Sequence, residues 1–414
     1  MSDKARYFLE QSVPELQDLE KKKLFSKKEV TMIMRRRTDF EHRIMGRGSK
    51  PADYLAYYRY EKTLEKLRKK RYNRLKPIID TKPSISDWAS QRRVFFLFDR
   101  AVNKFPKSLD LWSNYLRYAR KHGSVKVIYK VYTQLLSLQP RNVNVWLSAV
   151  HYEFEYNKNV KSARTLFKRC LRFNGDQNEV WFEFIKFELN YLSKLLIRRK
   201  LFGLITERQQ REDLQENENT GKFDDDESGD MLTFVPDEEM NDEMNQLPEM
   251  NVSMLGSIET NPVLRGDLIL TIYDICVSQL TSKITDDQER FEKFWLLSYE
   301  IIQIIDKFDV LDRGYLCDHI VKRLVEEFGD NAKVIVLQLT LNLRYLSLES
   351  DDFITGLQTS IKLYQSWMAK SNADAAVKEE VQKAYIAFLN EHYLNVAPEG
   401  ELKSLMSLLI KKLK

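Results

Sequence analysis

Five histidines, His42, His122, His151, His319 and His392, are the first residues to test for chemistry, and each stands alone. None falls in an H-E-x-x-H pattern or beside paired cysteines, so the spacing predicts no zinc site. Cys170, Cys276 and Cys317 are far apart and form no C-x-x-C pair. They are expected to be thiols in a reducing interior, each used as a small apolar residue. The sequon Asn251-Val252-Ser253 is then expected to be idle. The Gly46-Arg47-Gly48-Ser49 stretch lacks the Gly-Lys-[Ser/Thr] ending and the preceding strand of a phosphate loop, and reads as a turn before Pro51. No Cys–His or Ser–His arrangement can be assembled. The expectation is a protein with no catalytic residues, metal, cofactor or small-molecule substrate.

Charge is the remaining candidate chemistry. Arg35, Arg36 and Arg37 form one basic run; Arg68, Lys69, Lys70 and Arg71 form another that continues to Arg74 and Lys76. These nine residues are the candidate contacts to RNA phosphate or to a partner protein. Successive helical residues point in all directions, so neither run can serve one flat surface in full. A solvated face combined with a nuclear-import signal is an equally good reading. If RNA is touched, binding should depend on salt and read sequence poorly, because no base-reading module is present.

The elements that must carry these residues follow from composition. The chain has 414 residues, of which 43% are hydrophobic, and only 13 Gly and 10 Pro. Gly and Pro are thus roughly half as frequent as the about 12% of average proteins, which argues against a β-sandwich or a nucleotide-binding α/β fold. Mean hydropathy of −0.48 and the lack of a long apolar run predict no membrane span, and no secretory leader is visible. The net charge of +5 hides an asymmetry: residues 207–249 are strongly acidic, including Asp224-Asp225-Asp226-Glu227, whereas residues 1–76 hold twice as many bases as acids. A basic helical array interrupted by an acidic insert suits a ribonucleoprotein setting.

Breakers at Pro106, Gly123, Pro140, Asn157–Asn159 and Gly175 recur about every 17 residues, so two spacings give the length of a helix–turn–helix repeat. Trp112, Trp146 and Trp181 each stand six residues after a breaker. Tyr115, Ala149 and Phe184 follow three residues later, and Ala119, Glu153 and Glu188 follow at offset seven, all on one helical face. The second helices align through Val94, Ile128 and Ala163, and through Phe98, Tyr132 and Phe167. A degenerate earlier unit has Tyr54 in the Trp position and Glu61 at offset seven, with Pro77 and Pro83 closing it and Trp88 opening the next. A Glu on a buried stripe needs a partner, so Glu153 and Glu188 are expected to pair with basic or amide groups of adjacent helices.

Offset four is Leu116, Val150 and Ile185, where tetratricopeptide repeats place Gly or Ala. The pattern W-x-x-aromatic-x-x-x-E followed by Ala163-Arg164-x-x-Phe167 resembles the half-a-TPR (HAT) repeat of RNA-processing proteins. The expected fold is all-α, a right-handed solenoid of antiparallel HAT/TPR-like hairpins. Its expected parts are a basic helical segment (1–50), a HAT block (51–206), an acidic disordered linker (207–262) and a diverged helical block (263–414). An independent bundle stays open for the last. The N-terminal run Glu15-Leu16-x-x-Leu19, Leu24-Phe25-Ser26-x-x-Glu29-Val30 and Ile33-x-x-Arg36-Arg37-x-x-Phe40-Glu41 resembles the U3 small nucleolar RNA-associated protein 6 family. That resemblance implies a non-catalytic nucleolar scaffold in pre-18S rRNA processing. It also implies WD-repeat propeller partners, and direct or indirect association with U3 snoRNA and pre-rRNA. A direct RNA-binding protein, or a HAT scaffold of splicing or mRNA 3′-end processing, stays open as an alternative.

Overall fold

A computed structural model describes residues 3–76, 84–201, 262–346, 352–369 and 375–390; the acidic segment expected at 207–262 therefore lies almost wholly outside the described residues. Among the described residues every regular element is a helix, and none is long and apolar enough to cross a membrane. The chain divides into two compact units, Met1–Val145 and Trp146–Lys414.

The first unit contains α1 (Asp3–Glu10), α2 (Val13–Lys21), α3 (Lys27–Met45), α4 (Pro51–Leu75), α5 (Ile85–Lys104), α6 (Leu109–Lys121) and α7 (Val125–Leu138). Adjacent helices pack as antiparallel neighbours, α3 on α4, α4 on α5, α5 on α6 and α6 on α7, while α2 lies against α5. Ser26 starts α3 through a capping box: its hydroxyl accepts from the Glu29 amide and its own amide donates to Glu29 Oε2 at 2.9 Å. Capping satisfies backbone donors that the first helical turn leaves without partners. The Gly46–Gly48 segment is the turn that ends α3, and Pro51 opens α4. Helix α8 (Val143–His151) runs into a π-helical turn, Tyr152–Tyr156.

In the second unit α9 (Val160–Asn174) packs against α10 (Asn178–Leu201), the helix that carries Trp181. The chain resumes with α11 (Pro262–Arg265), α12 (Asp267–Thr281), α13 (Asp287–Ile305), α14 (Arg313–Phe328), α15 (Ala332–Leu341), α16 (Asp352–Met368) and α17 (Ala375–Leu389). Leu189, Leu192 and Leu195 of α10 share one buried core with Leu264, Leu270, Tyr273, Ile301 and Ile320. The helices after Pro262 are therefore built onto α10 through a common apolar core. A second core gathers Leu339, Leu343, Phe353, Val381 and Tyr385. The three cysteines are buried, and burial in these apolar surroundings pushes their thiols up to about 11, 12 and 11 for Cys170, Cys276 and Cys317.

The spacing of Trp from its breaker has a physical cause. The Trp112 indole N–H donates to the Pro106 carbonyl at 3.0 Å, and that of Trp181 to the Gly175 carbonyl at 3.1 Å. A buried indole needs a hydrogen-bond acceptor, and the inter-helix turn supplies one six residues upstream. Ring stacking recurs as well. Phe40 stacks on Tyr57 with centroids 5.0 Å apart, Phe98 on Tyr115 at 5.2 Å and Phe167 on Phe184 at 4.7 Å. Each pair joins the second helix of one hairpin to the first helix of the next. In the Tyr132 unit the corresponding residue is Ala149, which has no ring to stack.

Two expectations change. Trp88 does not open a repeat: it is half exposed in the helix that carries Val94, Phe98 and Ala101, and so belongs to the second helix of the hairpin begun at Tyr54. Helix α3, expected to lie in a separate N-terminal segment, has the position and aromatic contact of a repeat's second helix. Arg37 and Phe40 occupy in it the positions of Arg164 and Phe167 in α9.

Gly266 separates α11 from α12 with φ +98°, and a Cβ there would meet Leu316 Cδ2 at 3.0 Å. Gly266→Ala should destabilise the second unit by about 1–2 kcal/mol or more, since left-handed backbone strains any L side chain. Urea denaturation followed by far-UV circular dichroism measures this, and an unchanged midpoint would contradict the assignment.

Candidate functional site

The largest concentration of charge chemistry among the described residues is internal. Arg37 is 1% exposed, and its Nε and Nη2 donate to Glu61 at 2.8 and 3.0 Å. Its Nη1 and Nη2 lie 3.5 and 3.4 Å from the Glu15 carboxylate. Arg93 completes the network from α5, bonding Glu15 and reaching Glu61 at 3.4 Å. Four helices, α2, α3, α4 and α5, thus meet at two guanidinium groups and two carboxylates. Burial acts to raise the Glu15 pKa, but the charges of Arg37 and Arg93 and their hydrogen bonds outweigh it and hold the carboxyl below its usual range. Burial likewise opposes the Arg37 charge, and Glu61 with Glu15 more than restores it. Close by, Arg100 binds both oxygens of Glu41 at 2.8 and 2.9 Å, and its guanidinium lies 4.7 and 4.8 Å from the ring centroids of Phe8 and Phe96.

The Arg37–Glu61 pair is one copy of a repeat feature. Arg164 donates through Nε and Nη2 to the two oxygens of Glu188 at 2.7 and 2.8 Å, and both pairs are separated by 24 residues. In each, the arginine lies three residues before the stacked Phe, on the second helix of one hairpin; the Glu lies on the first helix of the next. The expected partner of Glu188 is therefore present. Glu153 differs: it is buried in the π-helical turn, and its Oε2 has no hydrogen-bond partner. The position 24 residues upstream of it is Tyr129, which has no cationic group. In the intervening repeat Ala119 replaces the Glu and Phe95 the Arg, so both charges have gone together. The other signature residues, Tyr54, Trp112, Tyr115, Trp146, Trp181 and Phe184, are all buried.

The nine candidate cations separate into two groups. Arg37, Arg68 and Arg71 are held by the fold. Arg68 binds Glu65 at 2.8 Å and Asp87 at 2.9 Å, tying α4 to the start of α5. Arg71 binds Glu29 at 2.7 and 2.9 Å, donates to the Leu24 carbonyl at 2.9 Å, and lies 4.6 Å from the Phe25 ring centroid. Those hydrogen bonds, with the one from the Ser26 amide, hold the Glu29 carboxyl down at about 2. Arg35, Arg36, Lys69, Lys70, Arg74 and Lys76 stand at the surface; Lys69 reaches Glu65 at 3.7 Å, and Arg36 lies over Phe40. Sequence reasoning grouped Arg37 with its neighbours in the run. The signal that separates it is the Arg-x-x-Phe spacing shared with Arg164, with a Glu 24 residues on.

Among the described residues, no group of three or more His, Cys, Asp or Glu is placed to hold a metal ion. His319 lies 3.2 Å from Asp274, and the remaining described histidines form no cluster.

Stacked helix hairpins joined by buried Arg–Glu pairs and aromatic pairs define a HAT-repeat protein, and residues 61–205 match the family described as the PRP39 N-terminal HAT repeat. Residues 9–93, which contain all four members of the Arg37 network, match the family described as U3 small nucleolar RNA-associated protein 6. The protein of that name from Schizosaccharomyces pombe is 41% identical over 201 residues, 49% of this chain and 41% of the relative. The homologue from Dictyostelium discoideum is 26% identical over 337 residues, 81% of this chain and 52% of the relative. The human homologue is 29% identical over 194 residues, 47% and 32% of the two chains. The chain is thus similar, over residues 9–93, to the U3 small nucleolar RNA-associated protein 6 family. It spans about half the length, or less, of these relatives.

Removing one member of a buried ion pair strands the other, which costs about 3–5 kcal/mol. Arg37→Ala should therefore unfold the first unit at markedly lower urea, whereas Arg35→Ala should stay within about 0.5 kcal/mol of wild type. Equal effects would contradict the division of the basic run. The lowered Glu29 pKa carries a pH signature: a carboxyl depressed in the folded state adds stability above its unfolded pKa and loses it as pH falls towards about 2. The melting-temperature gap between wild type and Glu29→Gln should be level above pH 5 and close between about pH 4.5 and 2. A gap that widens on acidification would rule this out.

Proposed function

We propose that the chain is a non-catalytic scaffold of the U3 small nucleolar ribonucleoprotein, acting in small-subunit rRNA processing in the nucleolus. The observation that carries this reading is the N-terminal match over residues 9–93, supported by the names of the relatives. The physical support is the use of the signature charges. Arg37, Arg93, Arg100 and Arg164 are spent on carboxylates between helices, which builds a rigid stack rather than a reaction centre. Stacked repeats present long surfaces suited to holding partner segments. WD-repeat propeller proteins of the same particle are the proposed partners, and association with U3 RNA and pre-rRNA runs through the assembly.

Direct phosphate binding is the second reading, and the exposed cations Arg35, Arg36, Lys69, Lys70, Arg74 and Lys76 favour it. The two differ in salt response, because phosphate contacts release counterions and weaken steeply as salt rises. Depletion of the protein in cells should lower mature small-subunit rRNA relative to large-subunit rRNA, and U3 RNA should copurify with the tagged chain. An unchanged rRNA ratio overturns the processing role. Copurification that survives nuclease-free salt washes but not removal of the propeller partners supports the scaffold over direct RNA binding.

A further inference from the structure

The surface where α3 meets α4 contains a cleft of about 370 Å3, floored by Phe25, Ile33 and Leu64 and walled by Met32, Tyr60 and Leu67. Met32 is 61% exposed and Leu67 40% exposed, on a chain whose surface here is otherwise charged. Two such side chains beside one apolar floor form a patch that water covers poorly. The cleft is rimmed by cations. Lys28, Arg35 and Arg36 lie one turn either side of Met32 on α3, and Lys70 and Arg74 lie one and two turns beyond Leu67 on α4. No carboxylate within the described residues forms an ion pair with any of these five. The carboxylate on the cleft wall, Glu29, is taken up by Arg71.

We infer that this cleft is the docking groove for an amphipathic acidic helix of a partner protein. Apolar side chains on one face of such a helix would enter between Met32 and Leu67, and flanking Asp or Glu would meet the basic rim, the helix-in-groove mode of recognition. RNA fits less well. Its phosphates would satisfy the rim, but its bases stack on aromatic faces; Phe25 is buried, Tyr60 is only partly exposed, and the most exposed walls are Met32 and Leu67. The groove rests on the scaffold reading and names the kind of partner segment that this part of the scaffold holds.

The test uses the full chain and a phage-displayed library of peptides about 16 residues long, with binders resynthesised and measured by fluorescence anisotropy. Enriched peptides should carry apolar residues at helical i, i+3 or i+4, and i+7 spacing together with several acids. Their affinity should fall about tenfold or more in Met32→Glu and in Leu67→Glu, fall in Lys70→Glu, and weaken as salt rises. Both apolar positions are exposed, so melting curves of these variants should match wild type. Enriched peptides that lack acids, or that bind Met32→Glu and wild type equally, overturn the groove, as does the absence of any binder sensitive to these residues. A single-stranded RNA oligonucleotide that binds in place of peptide, weakened by Lys70→Glu but not by Met32→Glu, assigns the rim to nucleic acid instead. Each of these failures leaves rRNA processing to be judged separately by the depletion experiment.

Discussion

A carboxylate buried on the stacking face of a helix is costly without a cation, and at Glu15, Glu41, Glu61 and Glu188 that cost sets how neighbouring helices join. Glu61 is 0% exposed, and Glu15, Glu41 and Glu188 are nearly as deeply buried. Each is met by an arginine from a neighbouring helix, with several hydrogen bonds apiece. Burying such charges is expensive, and attraction offsets the cost only where geometry is good and the remaining lone pairs are bonded. The constraint therefore acts on register. A one-residue slip of α3 along α4 would move Arg37 out of reach of Glu61 and misplace the Phe40–Tyr57 stack in the same step.

The aromatic pairs and the arginine pairs divide the work between them. Phe98 on Tyr115 supplies apolar contact where the ionic pair has been replaced by Phe95 and Ala119. Glu153 occupies the opposite position: its Oε2 is buried without a partner, and it sits in a π-helical turn. Buried unpaired polar groups and π turns both mark places where local order gives way to another demand.

Much of the fold was legible because packing repeats leave regular marks. Trp112 and Trp181 stand six residues after their turns because the indole needs the turn's carbonyl, and that spacing is visible without coordinates. The identity of α3 was hidden for a different reason. Arg37 sits between Arg36 and Thr38 in a run that composition marks as a basic surface, and only its distance to Phe40 and Glu61 separates it from its neighbours. Trp88 misled because residue type suggested an opening aromatic, whereas its helix is fixed by Val94, Phe98 and Ala101 facing the core. The apolar cleft between Met32 and Leu67 was not legible, since it arises from two helices meeting and from no motif on either.

The basic residues of this protein thus serve two ends. Arg37, Arg93, Arg100 and Arg164 are structural parts, neutralised within the stack, whereas Arg35, Arg36 and Arg74 stand exposed on α3 and α4. The claim that the signature charges join helices is tested most directly by a double-mutant cycle on Arg164 and Glu188, with Arg164→Met, Glu188→Leu and the double variant unfolded in urea. Each single variant should lose stability and the double should recover part of the loss, a coupling of about 1–3 kcal/mol. Purely additive losses would show that the pair does not hold α9 to α10.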